Sequence, residues 1–154
     1  MKRHLSFVSL SHEHHDGLLL ATRLQQGTNA LLRLWSHDLH WQAEYIVKYF
    51  DEHLDQHFSI EEQIIFPVAN QFLVEHSGIV QKLIDQHNEM RSMVELFRHP
   101  IKTKLQNTLP QFGKLLEEHI RIEERELFPL CEEYLPEERL NIIGKTIKEF
   151  SKKQ

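Results

Sequence analysis

Apolar residues recur at intervals of three and four along almost the whole chain, and no run alternates with the period of two that a strand needs. Five glycines and five prolines in 154 residues leave that rhythm nearly unbroken, so the sequence predicts an all-α fold. A first helix is expected from about Ser11, as N-cap, with a stripe of Leu10, Leu18, Ala21 and Leu24 that fades at Gly27-Thr28-Asn29. A loop then reaches about Ser36. A second helix runs from about Asp38 through Trp41, Tyr45, Tyr49, Leu54 and Ile64, with Pro67 bending or ending it. A third opens near Ser77, carries Val80, Leu83, Ile84, Met90, Val94 and Phe97, and stops at His99-Pro100. A fourth spans about Thr103 to Cys131, disturbed by Pro110 and Pro129, and a short last helix follows Pro136. Four long helices on short links are packed most simply as an antiparallel up-down-up-down four-helix bundle over residues 10–131, with a C-terminal cap helix over 136–151. With 40% hydrophobic residues, a chain of this length suits a single domain, 1–154.

Within this helical frame one phrase occurs twice. His57 to Pro67 reads HFSIEEQIIFP and His119 to Pro129 reads HIRIEERELFP, six of eleven positions being identical. A histidine and a glutamate four residues later lie about 40° apart around a helix and about 6 Å along it, so both leave the same face. Leu54 and Ile64 share that face with His57 and Glu61, and Leu115, Leu116 and Ile122 accompany His119 and Glu123. A single His-x-x-x-Glu is ordinarily a surface pair. Two copies on apolar faces are another matter, because burying imidazole and carboxylate among leucines is costly unless each is paired or coordinated. Glu62 and Glu124 stand about 100° further round and are expected to be solvated or to support the ligands from outside. Phe66-Pro67 and Phe128-Pro129 are expected to serve packing and helix ends.

The other two helices offer matching histidines. His87 has Leu83 and Ile84 before it and Met90 and Val94 after it, and so faces inward. In His12-Glu13-His14-His15-Asp16, His14 shares its face with Leu10, Leu18 and Ala21; His15 is the reserve choice, and His12 and Asp16 are expected in solvent. The candidate metal ligands are therefore His14, His57, Glu61, His87, His119 and Glu123. One ion rarely takes six protein ligands of this mixture, whereas two ions bridged by both carboxylates use them all. Imidazole and carboxylate together suit iron, manganese or zinc, and the lack of thiolates disfavours a closed structural zinc site. No Glu-x-x-His pair of the ferritin-like kind and no His-Glu-x-x-His of a zinc peptidase is present.

A net charge of −5 argues against nucleic acid or an anionic membrane as partner. Cys131 is the one cysteine, expected to be a small buried hydrophobe, which excludes an intrachain disulfide and suits a reducing cytoplasm. No stretch reaches the length of a membrane span, and the beginning turns polar too soon for a secretory leader. The amphipathic, basic ending is expected to close the bundle rather than to lie on a membrane. Of the remaining histidines, His53 is expected at the surface or behind the ligands, His76 is too far from His87 to share a site, and His4, His37, His40 and His99 read as exposed or capping groups. Trp41, Tyr45 and Tyr49 form a stripe expected to pack in the core.

In Leu10-x-x-Glu13-His14, His57-Phe58-x-x-Glu61-Glu62, His87 and His119-Ile120-x-x-x-Glu124, the chain resembles the hemerythrin family, in its bacterial branch of HHE cation-binding domains. The resemblance covers residues 10 to 131. It implies a four-helix bundle holding two iron ions bridged by two carboxylates and an oxo or hydroxo group. Oxygen-carrying members have a further histidine one turn before the third-helix ligand, where this chain has Leu83. Their fourth-helix carboxylate lies five residues after the histidine, which would be Glu124, whereas many four-histidine relatives use the four-residue spacing of Glu123. With Leu83 in that place the set looks more like the di-iron members linked to nitric oxide and to repair of iron-sulfur clusters. An open iron position, which His53 or His15 could fill, favours sensing or reaction over reversible carriage. The resemblance thus implies dioxygen or nitric oxide as small ligand, and either a responsive metal protein or a di-iron enzyme; a metal-free helical module acting through protein contacts is the remaining alternative. The protein partner is unknown from sequence.

Overall fold

The computed structural model describes residues 2–27 and 34–153, and among these residues there is helix and no strand. Five rods follow one another: α1 (Leu5–Gln26), α2 (39–72), α3 (Ser77–Arg98), α4 (102–134) and α5 (Glu137–Lys152). Among the described residues no helix is long and apolar enough to cross a membrane.

Most boundaries follow local chemistry. Asp38 caps α2 by accepting from the Trp41 N–H at 2.9 Å, α3 starts at Ser77 and ends before His99, and α5 follows Pro136. The first helix begins at Leu5 rather than near Ser11. His4 caps it, its Nδ1 accepting from the Ser6 N–H at 3.1 Å, and Phe7 and Leu10 bury the added turns. At the other end Gly27 adopts φ 56°, the left-handed conformation that glycine reaches without strain. Thr28 and Asn29 lie outside the described residues.

The two Phe-Pro pairs do not end their helices. Pro67 and Pro129 lie inside α2 and α4, each just after a π turn, Glu61–Ile65 and Glu123–Leu127, where the N–H of Phe66 bonds to the Glu61 carbonyl and that of Phe128 to the Glu123 carbonyl. A proline ring presses on the carbonyl four residues back, and a turn one residue wider relieves that pressure. The widened turns also correct phase. A buried series runs in steps of four through 119, 123, 127 and 131 on α4 to 135 just beyond it, and through 57, 61, 65 and 69 on α2 to 73 just beyond it. In an ideal α-helix each such step drifts by about 40°, enough over four steps to carry the stripe half out of the core. A third π turn, Phe50–Leu54, serves the series Ile46, Phe50, Leu54 and Phe58 in the same way. Pro110, by contrast, is accommodated without a break in the Lys102–Ile122 segment.

Packing joins α1 to α4, α4 to α3, α3 to α2, and α2 to α4, while α5 lies on α1 and on the Glu61–Ile65 turn. The contact of α1 with α4 is close because glycine supplies the space: a Cβ on Gly113 would stand 2.8 Å from the Ala21 carbonyl oxygen and 2.9 Å from the Leu24 Cβ. Two apolar clusters result. One gathers Leu24, Ala43, Ile46, Met90, Phe97 and Phe112 with their neighbours; the other gathers Phe7, Leu10, Phe66, Val80, Leu83 and Phe128, and takes in Leu140, Ile143 and Ile147 of α5. Cys131 is buried in the second cluster, where burial pushes its thiol up to about 12 and keeps it protonated.

Replacing Gly113 by valine should lower stability by about 1–3 kcal/mol, since the Ala21 backbone cannot yield as a side chain would. Urea unfolding of the metal-free protein measures it, and an unchanged midpoint would mean that the two helices separate freely.

Candidate metal centre

Between the two apolar clusters lies a layer of six buried polar side chains: His14 from α1, His57 and Glu61 from α2, His87 from α3, and His119 and Glu123 from α4. The structure brings all six sequence candidates together. Their inner atoms form two groups, His14, His57, Glu61 and Glu123, and Glu61, His87, His119 and Glu123, each with its donor atoms within 4.8 Å of one another. Both carboxylates belong to both groups. Glu61 Oε1 lies 3.6 Å from the Nε2 of His57 and 3.1 Å from that of His87; Glu123 Oε1 lies 3.1 Å from the Nε2 of His14 and 3.4 Å from that of His119.

What points outward fixes what points inward. The Nδ1 of His14 faces Glu124 Oε2 at 3.2 Å, that of His57 faces Glu13 Oε2 at 2.5 Å, that of His87 faces Glu62 Oε2 at 2.7 Å, and that of His119 faces Gln86 Oε1 at 2.9 Å. An imidazole whose proton lies on that outer oxygen turns its Nε2 lone pair to the centre. There the Nε2 atoms stand in close pairs, His14 with His57 at 3.1 Å and His87 with His119 at 3.0 Å, so that a proton or a cation must lie between them. Glu61 Oε2 and both oxygens of Glu123 are buried without a hydrogen-bond partner. Four lone pairs and two carboxylates repel one another unless positive charge stands among them, and their donor atoms are those that first-row cations take. The residues present fit a pair of metal ions.

Protonation answers the same demand in the metal-free protein. Burial lowers the pKa of His57, but the charge of Glu61 and hydrogen bonds to Glu13 and Glu61 outweigh it and push it up to about 10. Burial raises Glu61, yet the neighbouring His57 charge and hydrogen bonds from His119, His57 and His87 hold it well below the usual carboxylate range. For His119 burial prevails and pulls it down to about 4.

Each duplicated phrase proves to have several duties. Beyond its own histidine and inner glutamate, Glu62 and Phe66 of the first copy hold His87 of α3, with ring centroids of Phe66 and His87 5.5 Å apart. Glu124 and Phe128 of the second copy hold His14 of α1, with ring centroids 5.9 Å apart. Phe58 also stacks on His87 at 3.8 Å. Arg91 grips Glu62 through both guanidinium nitrogens, at 2.6 and 3.0 Å, and Arg3 binds Glu132 and the Glu124 carbonyl. Burial opposes ionisation of Glu62 and Glu124, but hydrogen bonds from Arg91 and His87, and from His14 and Ser11, hold both carboxyls below the usual range.

The sequence model of the hemerythrin HHE cation binding domain matches residues 6–131. The chain belongs to the hemerythrin family. Among curated proteins and solved structures nothing matches it. In this hemerythrin-family chain Glu123 faces the cage, whereas Glu124, considered as its alternative, stands outside behind His14. His15, the reserve for His14, is exposed and away from the layer. His53 is 66% exposed near Glu52, at the rim of a small cavity beside the cage. Leu83 is fully buried in the apolar cluster below. Sequence reasoning left Glu13 without a role and passed over Gln86, Arg91 and Arg3. One signal was available for the first two: a polar residue precedes the inward histidine on both α1 and α3.

Because the folded-state pKa of His57 is raised above its unfolded value near 6.5, the stability it contributes is complete below that value and lost as pH rises toward 10. Metal-free protein should therefore lose stability between pH 7 and pH 10, by an amount on the order of a few kcal/mol. Urea unfolding at the two pH values tests this, and His57→Ala should flatten the dependence.

Proposed function

We propose that this hemerythrin-family protein is a non-heme di-iron protein, a single domain over the chain, that binds or responds to dioxygen, nitric oxide, iron or redox state. The observation that carries the reading is the pair of four-donor groups sharing Glu61 and Glu123. His14 and His57 would hold one ion and His87 and His119 the other, with the two glutamates bridging. Manganese or zinc would satisfy the same donors. A pair of irons so held supplies one-electron chemistry toward small diatomic molecules. The antiparallel up-down-up-down bundle belongs to the same proposal and is supported by the packing of α1 on α4, α4 on α3 and α3 on α2.

Ligand size supports a diatomic partner. Beside the cage is a cavity of about 20 Å³, lined by Gly17, Leu54, Phe58, Leu116 and Ile120 and bordered by His14, His57 and His119. Such a volume holds about one water-sized molecule. Tyr49 also borders it, and burial together with the nearby Asp16 and Glu13 charges raises its pKa, so the phenol keeps its proton. The acidic balance disfavours nucleic acid or an anionic membrane as partner, and the lone, buried Cys131 suits a cytoplasmic setting.

Protein loaded with ferrous iron without air and then exposed to oxygen should contain about two irons per chain and show near-ultraviolet oxo-bridge absorption. His87→Ala and Glu123→Ala should lose iron. Glu124→Ala should retain more iron than either, since that carboxylate supports His14 from outside. Full iron in both of the first two variants, or no oxo-bridge band in the parent, would end this reading. Steady turnover with a reductant and nitric oxide or peroxide would move the assignment from responsive protein to enzyme.

A further inference from the structure

The outer ring of hydrogen bonds is not symmetric. The residue before each α1 and α3 histidine reaches the imidazole of the neighbouring motif, but in one half that residue is the carboxylate Glu13, on His57, and in the other the neutral amide Gln86, on His119. The remaining outer carboxylates also differ. Glu62, behind His87, is neutralised by the two-pronged grip of Arg91. Glu124, behind His14, has Arg3 3.9 Å away, and that arginine is shared with Glu132. Glu13 makes no ion pair with lysine or arginine among the described residues. The His14–His57 half is thus backed by two carboxylates, and the His87–His119 half by one carboxylate already matched with a cation.

A carboxylate on Nδ1 makes the opposite nitrogen a stronger donor, and such outer partners are typically worth 10–100-fold in metal affinity. The approach favours the same half. A cavity of about 260 Å³, lined by Glu13, Asp16, Tyr49 and His53 among others, opens at the surface and shares Glu13, Tyr49 and His53 with the small cavity, which borders both His14 and His57 but only His119 of the other half. We infer that the two halves of the cage differ in cation affinity: the His14–His57 half, backed by Glu13, takes the first divalent ion, and the His87–His119 half, backed by Gln86, takes the second. The inference rests on the two-cation reading above.

Metal-free protein titrated with Co²⁺ without air, followed by visible absorption, should fill in two steps. Repulsion between neighbouring cations separates the steps even in a symmetric cage, so two substitutions decide which half fills first. Glu13→Gln, at a side chain 55% exposed, should leave the fold intact by circular dichroism and weaken the first step about 10-fold or more. Gln86→Glu should strengthen the second step by a similar factor and bring the two together. Glu13→Gln weakening the second step alone, or Gln86→Glu strengthening the first alone, would reverse the order and overturn the inference. Two steps indifferent to both changes would overturn it while leaving the two-cation reading in place, and failure to bind cobalt at all would remove both.

Discussion

Everything in this molecule is arranged around the cost of keeping two carboxylates out of water. Glu61 and Glu123 have no solvent exposure, and their neighbours on the inner side are four imidazole nitrogens that stand in close pairs. An isolated buried carboxylate costs many kcal/mol, so this layer tolerates only two states, one compensated by protons and one by cations. Stability and metal affinity are consequently two readings of the same electrostatic debt, which is why His57 holds a proton so tightly when no cation is there.

The interlocking of the helices follows from that layer. Glu62 of α2 secures a histidine of α3, Glu124 of α4 secures one of α1, Glu13 of α1 secures one of α2, and Gln86 of α3 secures one of α4. The bonds close a circuit through all four rods. No helix can rotate without withdrawing an oxygen from a neighbour's imidazole, so the apolar packing sets the spacing while the circuit sets the rotation of each rod.

Much of this was readable in the chain. The three-and-four rhythm gave helices, Asp38, Ser77 and Pro136 marked their starts, and the duplicated phrase with His14 and His87 named every side chain of the inner layer. These features are legible because each is decided within one or two helical turns. The errors concern effects that are decided across helices. Leu5 begins α1 because Phe7 and Leu10 find a second cluster completed by α5, and Pro67 reads as bending or ending its helix, and Pro129 as disturbing one near its end, until the π turns before them are seen. The outer partners Glu13 and Gln86 are ordinary surface-type residues in sequence and acquire a role only from the ring nitrogen that faces them.

The π turns carry a further consequence. The two at Glu61–Ile65 and Glu123–Leu127 are each equivalent to a one-residue insertion absorbed within a single turn that begins at an inner glutamate. Such a turn uncouples the angular setting of the segment before it from that of the segment after it. The segments beyond Pro67 and Pro129 could therefore be remodelled by mutation over evolutionary time, altering how each rod is anchored at its far end, without disturbing the aim of the histidine and glutamate upstream.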